Sequence, residues 1–281
     1  MDNLRTNAAA ERWRRDLAAW EIPAQILTAA EVSPWVLPRT LFVRRAADAT
    51  ATPEGPSYDR AWEVLDPPGT VLDVGPGGGA ASLPLASRTT HLAGVDTDAQ
   101  LLERFATEAA KAGVPCDPVI GRWPDVASQV RPADVVVCHH VFYNVPDLPA
   151  FATELTAHAR RRVVVELTAE HPLVRLNPLW KHFHGIDRPA RPTADDALAV
   201  LTEAGIDAHL QRWRRPDVTA YETFAELVDV TRRRLCLPAS RAADVAAALR
   251  EQGADETRPD LGAAGRDLVT LWWPGAADAD L

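Results

Sequence analysis

The residues able to do chemistry gather around one glycine-rich turn. The run Val71-Leu72-Asp73-Val74-Gly75-Pro76-Gly77-Gly78-Gly79 joins an apolar segment to a tight turn and then to small residues, Ala80 to Ala86. That order predicts a buried strand, a loop and a helix start, the layout that binds a nucleotide-like ligand. Glycines here allow positive φ and let a ligand approach the backbone closely. Asp73, two residues before Gly75, would repel a pyrophosphate but attract an amine or a sulfonium. Roughly twenty residues past the turn, where nucleotide-binding units place a carboxylate, Leu92-Ala93-Gly94-Val95-Asp96 predicts a second strand ending in an acid. A carboxylate at Asp96 can accept both hydroxyls of a ribose.

Strands and helices in alternation must position these groups. Thr97-Asp98 offers a cap for a helix over Ala99 to Ala112, closed by Gly113. Pro118 to Gly121, Ala133 to Cys138 and Arg162 to Glu166 predict a third, fourth and fifth strand. Their continuous apolar runs suit strands buried on both faces of a parallel sheet. Thr193-Ala194-Asp195-Asp196 begins another helix with a capping box, Asp207 to Trp213 predicts strand six, and Asp267 to Trp273 a final strand. The class is α/β. Before strand one, residues 1 to 65 read as helical: Trp13, Leu17 and Trp20 share a helix face, Pro23 and Ser33-Pro34 mark further starts, and Tyr58 to Leu65 forms a short helix after a loop from Asp48 to Ser57. Gly75, Gly77 and Ala80 also fit the loose dinucleotide fingerprint, so with Asp96 an NAD-dependent oxidoreductase stays open.

At Asp73-Val74-Gly75-Pro76-Gly77-Gly78-Gly79 the chain resembles the class I S-adenosylmethionine-dependent methyltransferases of small-molecule type, whose first motif is an acid-x-Gly-x-Gly-x-Gly turn after strand one. The late strand returning beside strand six is similar to that family's antiparallel last pair. The resemblance implies a doubly wound, mostly parallel seven-stranded sheet with an antiparallel last strand. It places Gly75, Pro76 and Gly77 under the methionine part of S-adenosyl-L-methionine, Asp73 as a carboxylate supporting that end directly or through water, and Asp96 with Thr97 at the ribose. The family often carries an acid after strand three for adenine. This chain reads Gly121-Arg122-Trp123-Pro124-Asp125 instead, with Trp123 as a stacking platform and Asp125 as a substitute acid. The stretch Asp134 to Val145 is similar to the family's fourth motif, which makes His139 a cofactor neighbour and turns His140 and Tyr143 toward substrate. An imidazole near neutral pKa is a natural general base for an oxygen or nitrogen nucleophile. Glu166, ending strand five, is the third polar candidate. No catalytic residue is assigned among His140, Tyr143 and Glu166, because methyl transfer from a sulfonium needs mainly orientation and exclusion of water.

Composition narrows the partners. With 281 residues and 47% hydrophobic residues, including nine tryptophans, the chain can bury a large core. No apolar run approaches the roughly eighteen residues that span a bilayer. Met1 to Arg15 is polar and charged and does not read as a signal peptide. Cys116, Cys138 and Cys236 lack metal or disulfide spacing, which suggests a reduced, cytoplasmic setting. A net charge of -9 disfavours nucleic acid, and the clusters Arg160 to Arg162, Arg212 to Arg215 and Arg232 to Arg234 read as solvated charge at element ends. The Asn/Asp-Pro-Pro-Tyr/Phe signature of base and protein-glutamine methyltransferases is absent after strand four, which favours a small-molecule acceptor.

Two segments are expected to cover the site. Residues 1 to 65 would form a helical N-terminal cap, and within the methyltransferase domain, 66 to 281, the link 169 to 191 would be a lid and 219 to 252 a helical insertion. Trp20, Trp35, Trp180 and Phe183 would wall an apolar or aromatic acceptor pocket, with His140, Tyr143 and Glu166 as its polar groups. His182 and His184 have no third metal partner at known spacing, so no metal is expected. A methyltransferase-fold binding module without catalysis is the other alternative.

Overall fold

The computed structural model describes residues 7–215, 221–260 and 267–276. Seven strands, β1 (Gly69–Val74), β2 (Thr89–Asp96), β3 (Cys116–Ile120), β4 (Ala133–His139), β5 (Ala159–Thr168), β6 (His209–Arg214) and β7 (Asp267–Pro274), form one sheet in the order β3-β2-β1-β4-β5-β7-β6. The first five strands pair in parallel, and β7 runs antiparallel between β5 and β6. Successive side chains alternate between the faces. Val163, Val165 and Val136 enter one core cluster, with Phe142, Phe151 and Trp273, while Val164, Val135 and Val137 enter another, with Leu65, Leu92 and Phe105. A strand buried on both sides must be apolar at every position, which is why these runs show no polar alternation.

The helices are α1 (Ala8–Ala18), α2 (Ala24–Thr28), α3 (Arg39–Ala51), α4 (Pro56–Glu63), α5 (Ala99–Lys111), α6 (Leu148–Ala157), α7 (Asn177–His184), α8 (Ala194–Glu203), α9 (Phe224–Arg234) and α10 (Ala242–Glu251). Asp98 caps α5 by accepting the Gln100 and Leu101 amides at 3.0 and 3.2 Å. Thr193 and Asp196 form the expected capping box of α8. α7, α9 and α10 share a separate apolar cluster that includes Leu179, Trp180, Leu227, Val245 and Leu249. Residues 1–6, 216–220, 261–266 and 277–281, which include the first positions of the 219 to 252 insertion and the acidic tail, lie outside the described residues.

Four local expectations are corrected. The glycine turn does not lead into an α-helix: Gly77 and Gly79 hold φ of 52° and 91°, incompatible with helical backbone. A 3-10 turn over Leu83–Arg88, containing Pro84, follows instead. α3 begins at Arg39 rather than after Ser33-Pro34, and it absorbs Asp48 to Ala51 from the expected loop. β5 runs two residues past Glu166 to Thr168, so Glu166 is a pairing position opposite His139 and Thr270 rather than a strand end. The N-terminal segment is spread around the sheet: α1 packs on α8, α4 packs against β5 and β7, and α3 lies against the 3-10 turn after the glycine loop. Among the described residues no helix is long and apolar enough to cross a membrane.

Candidate functional site

The glycine loop is shaped by what presses on it. Gly75, at φ 78°, donates its N–H to the Val95 carbonyl at 2.8 Å, tying the end of β1 to β2. A Cβ there would sit 2.6 Å from Val141 Cγ2. A Cβ on Gly78 would sit 2.3 Å from the Phe42 carbonyl oxygen, so only glycine lets α3 lie on the loop. Asp96 follows β2 into the same corner. Its Oδ2 accepts the Gly77 N–H at 3.1 Å and its Oδ1 the Asp98 N–H at 3.0 Å, which fixes the carboxylate while each oxygen keeps lone-pair capacity.

These groups border a cleft of about 420 Å³. Gly75, Pro76, Gly77, Asp96, Thr97, Trp123 and His139, the residues expected beside the cofactor, all line it, and His140 lines it as well. Phe42 and Arg45 of α3 and Arg122 also line it. Sequence reasoning missed Phe42 and Arg45 because they lie far upstream of every motif; the only available signal was the helical character of the N-terminal segment. Asp125 is exposed and does not line the cleft.

Asp73 departs from its expected place. It lies beneath the loop rather than in the cleft wall, fully buried, with Ser82 Oγ donating to Oδ2 at 2.6 Å and Oδ1 unpaired. Burial pushes its carboxyl up to about 7, against the Ser82 hydrogen bond and with help from the charge on Asp96. Without a ligand the carboxyl is only partly ionised near neutral pH, and a nearby cation would favour its charged form. Trp123 Nε1 and His139 Nε2 are likewise buried without a hydrogen-bond partner. Burial lowers the His139 imidazole to about 4, so it is neutral near pH 7. An orphaned donor and acceptor set around a glycine cradle beside a fixed carboxylate fits a nucleoside that carries polar groups of its own.

The three catalytic candidates separate. Tyr143 is buried, stacks on Trp13 at 5.8 Å between ring centroids, and donates its hydroxyl to the Thr168 carbonyl at 2.8 Å. Burial raises its pKa, its hydroxyl is taken up by Thr168, and it does not line the cleft. Glu166 is buried, with Oε1 3.1 Å from His140 Nε2 and 2.6 Å from Arg215 Nη2. Burial alone would raise this carboxyl, but His139, the His140 hydrogen bond and Arg215 hold it well below the usual range. The His140 side chain is 36% exposed and lies in the cleft, and loss of solvation among its neighbours holds the imidazole below its ordinary value against the pull of Glu166. Arg215, grouped by sequence with solvated charge, stays partly exposed yet ties down the buried Glu166 beside the cleft. No local motif marks it, since β6 must fold beside β7 before Arg215 meets Glu166.

The four aromatic residues expected to wall an acceptor pocket lie away from the cleft. Trp20 is buried, stacked on His171 at 3.9 Å, with its Nε1 donating to the Arg191 carbonyl at 2.6 Å. Trp180 packs inside the α7, α9 and α10 cluster with Phe183 at its margin, and Trp35 is 49% exposed. None of the four lines the cleft. The N-terminal segment and the 169 to 191 link do meet, through Trp20, His171 and Arg191 and through Arg188, which donates to the Glu21 carbonyl at 2.8 Å. His184 Nε2 pairs with the Leu235 carbonyl at 2.7 Å, and the His182 ring lies edge-on to Phe183. Among the described residues no cluster of three His, Cys, Asp or Glu could hold a metal ion.

Comparison with known proteins agrees with this geometry. A family model described as a methyltransferase domain matches residues 55–217. The ubiquinone biosynthesis O-methyltransferase of Xylella fastidiosa is 34% identical over 89 residues, covering 31% of this chain and 36% of that protein. The protein of the same name from Paramagnetospirillum magneticum is 34% identical over 91 residues, covering 32% and 36%. The match spans only about a third of the length of these curated relatives. Among solved structures, a candidate sarcosine dimethylglycine methyltransferase from Galdieria sulphuraria superposes with a TM-score of 0.52 at 13% identity, covering 89% of this chain and 95% of that one. At that identity the likeness concerns the fold.

Proposed function

This chain belongs to the methyltransferase-domain family, and from that premise we propose that it transfers a methyl group from S-adenosyl-L-methionine to a small-molecule acceptor. The observation that carries the reading is Asp96, held by the Gly77 and Asp98 amides at the rim of the glycine-lined cleft. Asp96 accepts the ribose hydroxyls, with Thr97 beside it. The Gly75 to Gly77 backbone and the neutral His139 would border the methionine end, and Trp123 the adenine, since all of them line the cleft. When bound, the cofactor supplies a methyl carbon already activated on sulfur. What this chain then contributes is orientation of the nucleophile, removal of its proton and exclusion of water. Phe42 covers the loop from α3, and the acceptor enters on the side of His140, Arg45 and Asn144, which also line the cleft.

The O-methyltransferase names of the relatives support an oxygen acceptor over nitrogen or carbon. The net charge of -9 argues against binding to nucleic-acid phosphates, and three free cysteines suit a reducing cytoplasm. Calorimetry with S-adenosylhomocysteine and with NAD tests the cofactor: tight NAD binding with no response to S-adenosylhomocysteine would overturn the reading. A binding module would also take up the cofactor, so turnover is the second test. S-adenosylhomocysteine release across a broad acceptor panel separates an enzyme from a module.

A further inference from the structure

Arg215 lies just past β6, and the function above leaves it without a task. Its Nη2 reaches Glu166 Oε1 at 2.6 Å, and the same oxygen meets His140 Nε2 at 3.1 Å. The Glu166 backbone carbonyl also accepts the His140 N–H at 2.7 Å. His140 is pinned at two points, and it needs to be. Its φ of 60° is a left-handed conformation that a non-glycine residue keeps only when its neighbours hold it there. Arg215 is itself held from two sides, by Glu166 and by the Trp213 ring, whose centroid is 5.5 Å from the guanidinium carbon. Trp213 is fixed in turn by donating its Nε1 hydrogen to Thr270 Oγ1 at 3.1 Å.

We infer that Arg215 is a positioning residue which, with Glu166, holds His140 in its Nε2–H tautomer and so presents Nδ1 as the base for the acceptor's nucleophile. A carboxylate against one ring nitrogen fixes the proton there and leaves the other nitrogen free to accept. The inference rests on the methyl transfer proposed above. In that step the acceptor's oxygen forms its bond to the methyl carbon, the carbon–sulfur bond breaks with its electron pair left on sulfur, and the acceptor's proton passes to Nδ1. The imidazolium so formed lies against Glu166 and afterwards gives its proton to water. Glu166 does not take the proton, because Arg215 and the imidazolium beside it keep it a carboxylate. The groups that face the imidazole are Glu166 from β5, Arg215 after β6, Arg45 from α3 and His139 beside it.

Long-range 15N–1H spectra of the uniformly labelled full chain read the tautomer and titration of every imidazole, and His140→Gln identifies the His140 signals. The expected result is an Nε2–H tautomer for His140 at neutral pH. Arg215→Met should raise the His140 midpoint and Glu166→Gln should lower it, each by about one unit, while Arg215→Lys should stay near the wild type. An Nδ1–H tautomer in the wild type, or two midpoints that move together or not at all, overturns the inference. If Arg215→Met does not fold, Arg215→Gln takes its place in the same spectra, and a His140 midpoint unmoved from the wild type overturns the part given to Arg215. Calorimetry with S-adenosylhomocysteine on the wild type keeps the two readings apart: failure to bind would overturn the methyltransferase function and leave the tautomer result standing.

Discussion

Asp73 and Asp96 both stand at strand ends beside the glycine loop, and burial gives them opposite characters. Asp96, rimmed by backbone amides, is the affinity residue. Asp96→Ala should weaken S-adenosylhomocysteine binding by about 1.5–3 kcal/mol, more than tenfold, for a charged hydrogen bond lost; an unchanged calorimetric affinity in the folded variant would place the ribose elsewhere. Asp73 reports on pH instead. Its carboxyl rises from 3.8 to about 7 on folding, so between those values the folded chain binds more protons than the unfolded one, and stability falls as pH rises through the window. Asp73→Asn should therefore gain on the wild type between about pH 4 and about pH 7 in urea unfolding without cofactor. Parallel curves for the two proteins would show that Asp73 does not titrate there. His140 sets a third dependence. Its imidazole is lowered from 6.5, chiefly by burial, so turnover of a hydroxyl acceptor should be level at and above neutral pH and decline only on the acid side of 6.5. A decline that begins above neutrality would point to a different base.

At the scale of elements, α3 and the segment after β6 decide the site. The glycine-loop motif reads as a ligand feature, yet the Phe42 carbonyl would lie 2.3 Å from a Cβ on Gly78, so part of that glycine's task is to admit α3. Gly78→Ala should loosen α3, seen as faster amide hydrogen exchange over residues 39 to 51, and should weaken cofactor binding. Unchanged exchange would mean the loop yields instead. The same logic explains the missing helix after β1. Small residues alone suggested a helix, but three glycines at positive φ, Gly75, Gly77 and Gly79, set a turn that a helix cannot continue. Strands were legible wherever apolar runs were continuous, because burial on both faces leaves a plain signature. Their ends were less so: β5 continues past Glu166 because β7 offers Val269 and Leu268 as partners for Leu167 and Thr168.

Across the whole molecule, the N-terminal segment is as much core as cover. Trp13 is fully buried among the residues of one sheet face and donates its Nε1 hydrogen to the Val145 carbonyl at 2.8 Å. Trp13→Ala should cost about 3–5 kcal/mol of stability, measured by urea unfolding; a cost well below this would mean α1 docks loosely. Deleting residues 1 to 47 removes Trp13 together with Phe42 and Arg45, so it should impair both stability and cofactor affinity rather than turnover alone.

The sequence by itself determined the strands and the glycine loop with Asp96, each written in local order as an apolar run, a turn composition or a spacing, and local order survives folding. The antiparallel last strand and the places of Trp123 and His139 came only through the resemblance to the methyltransferases. Tertiary structure alone decided that Tyr143 is packing, that Asp73 is beneath the loop, that Trp20 and Trp180 are interior, and that Arg215 joins Glu166 and His140. Those outcomes depend on which distant surfaces meet. A side chain's burial and ion partners come from elements far apart in the chain, such as Glu166 and Arg215 brought together across β5, β7 and β6, and no periodicity within either segment encodes that meeting.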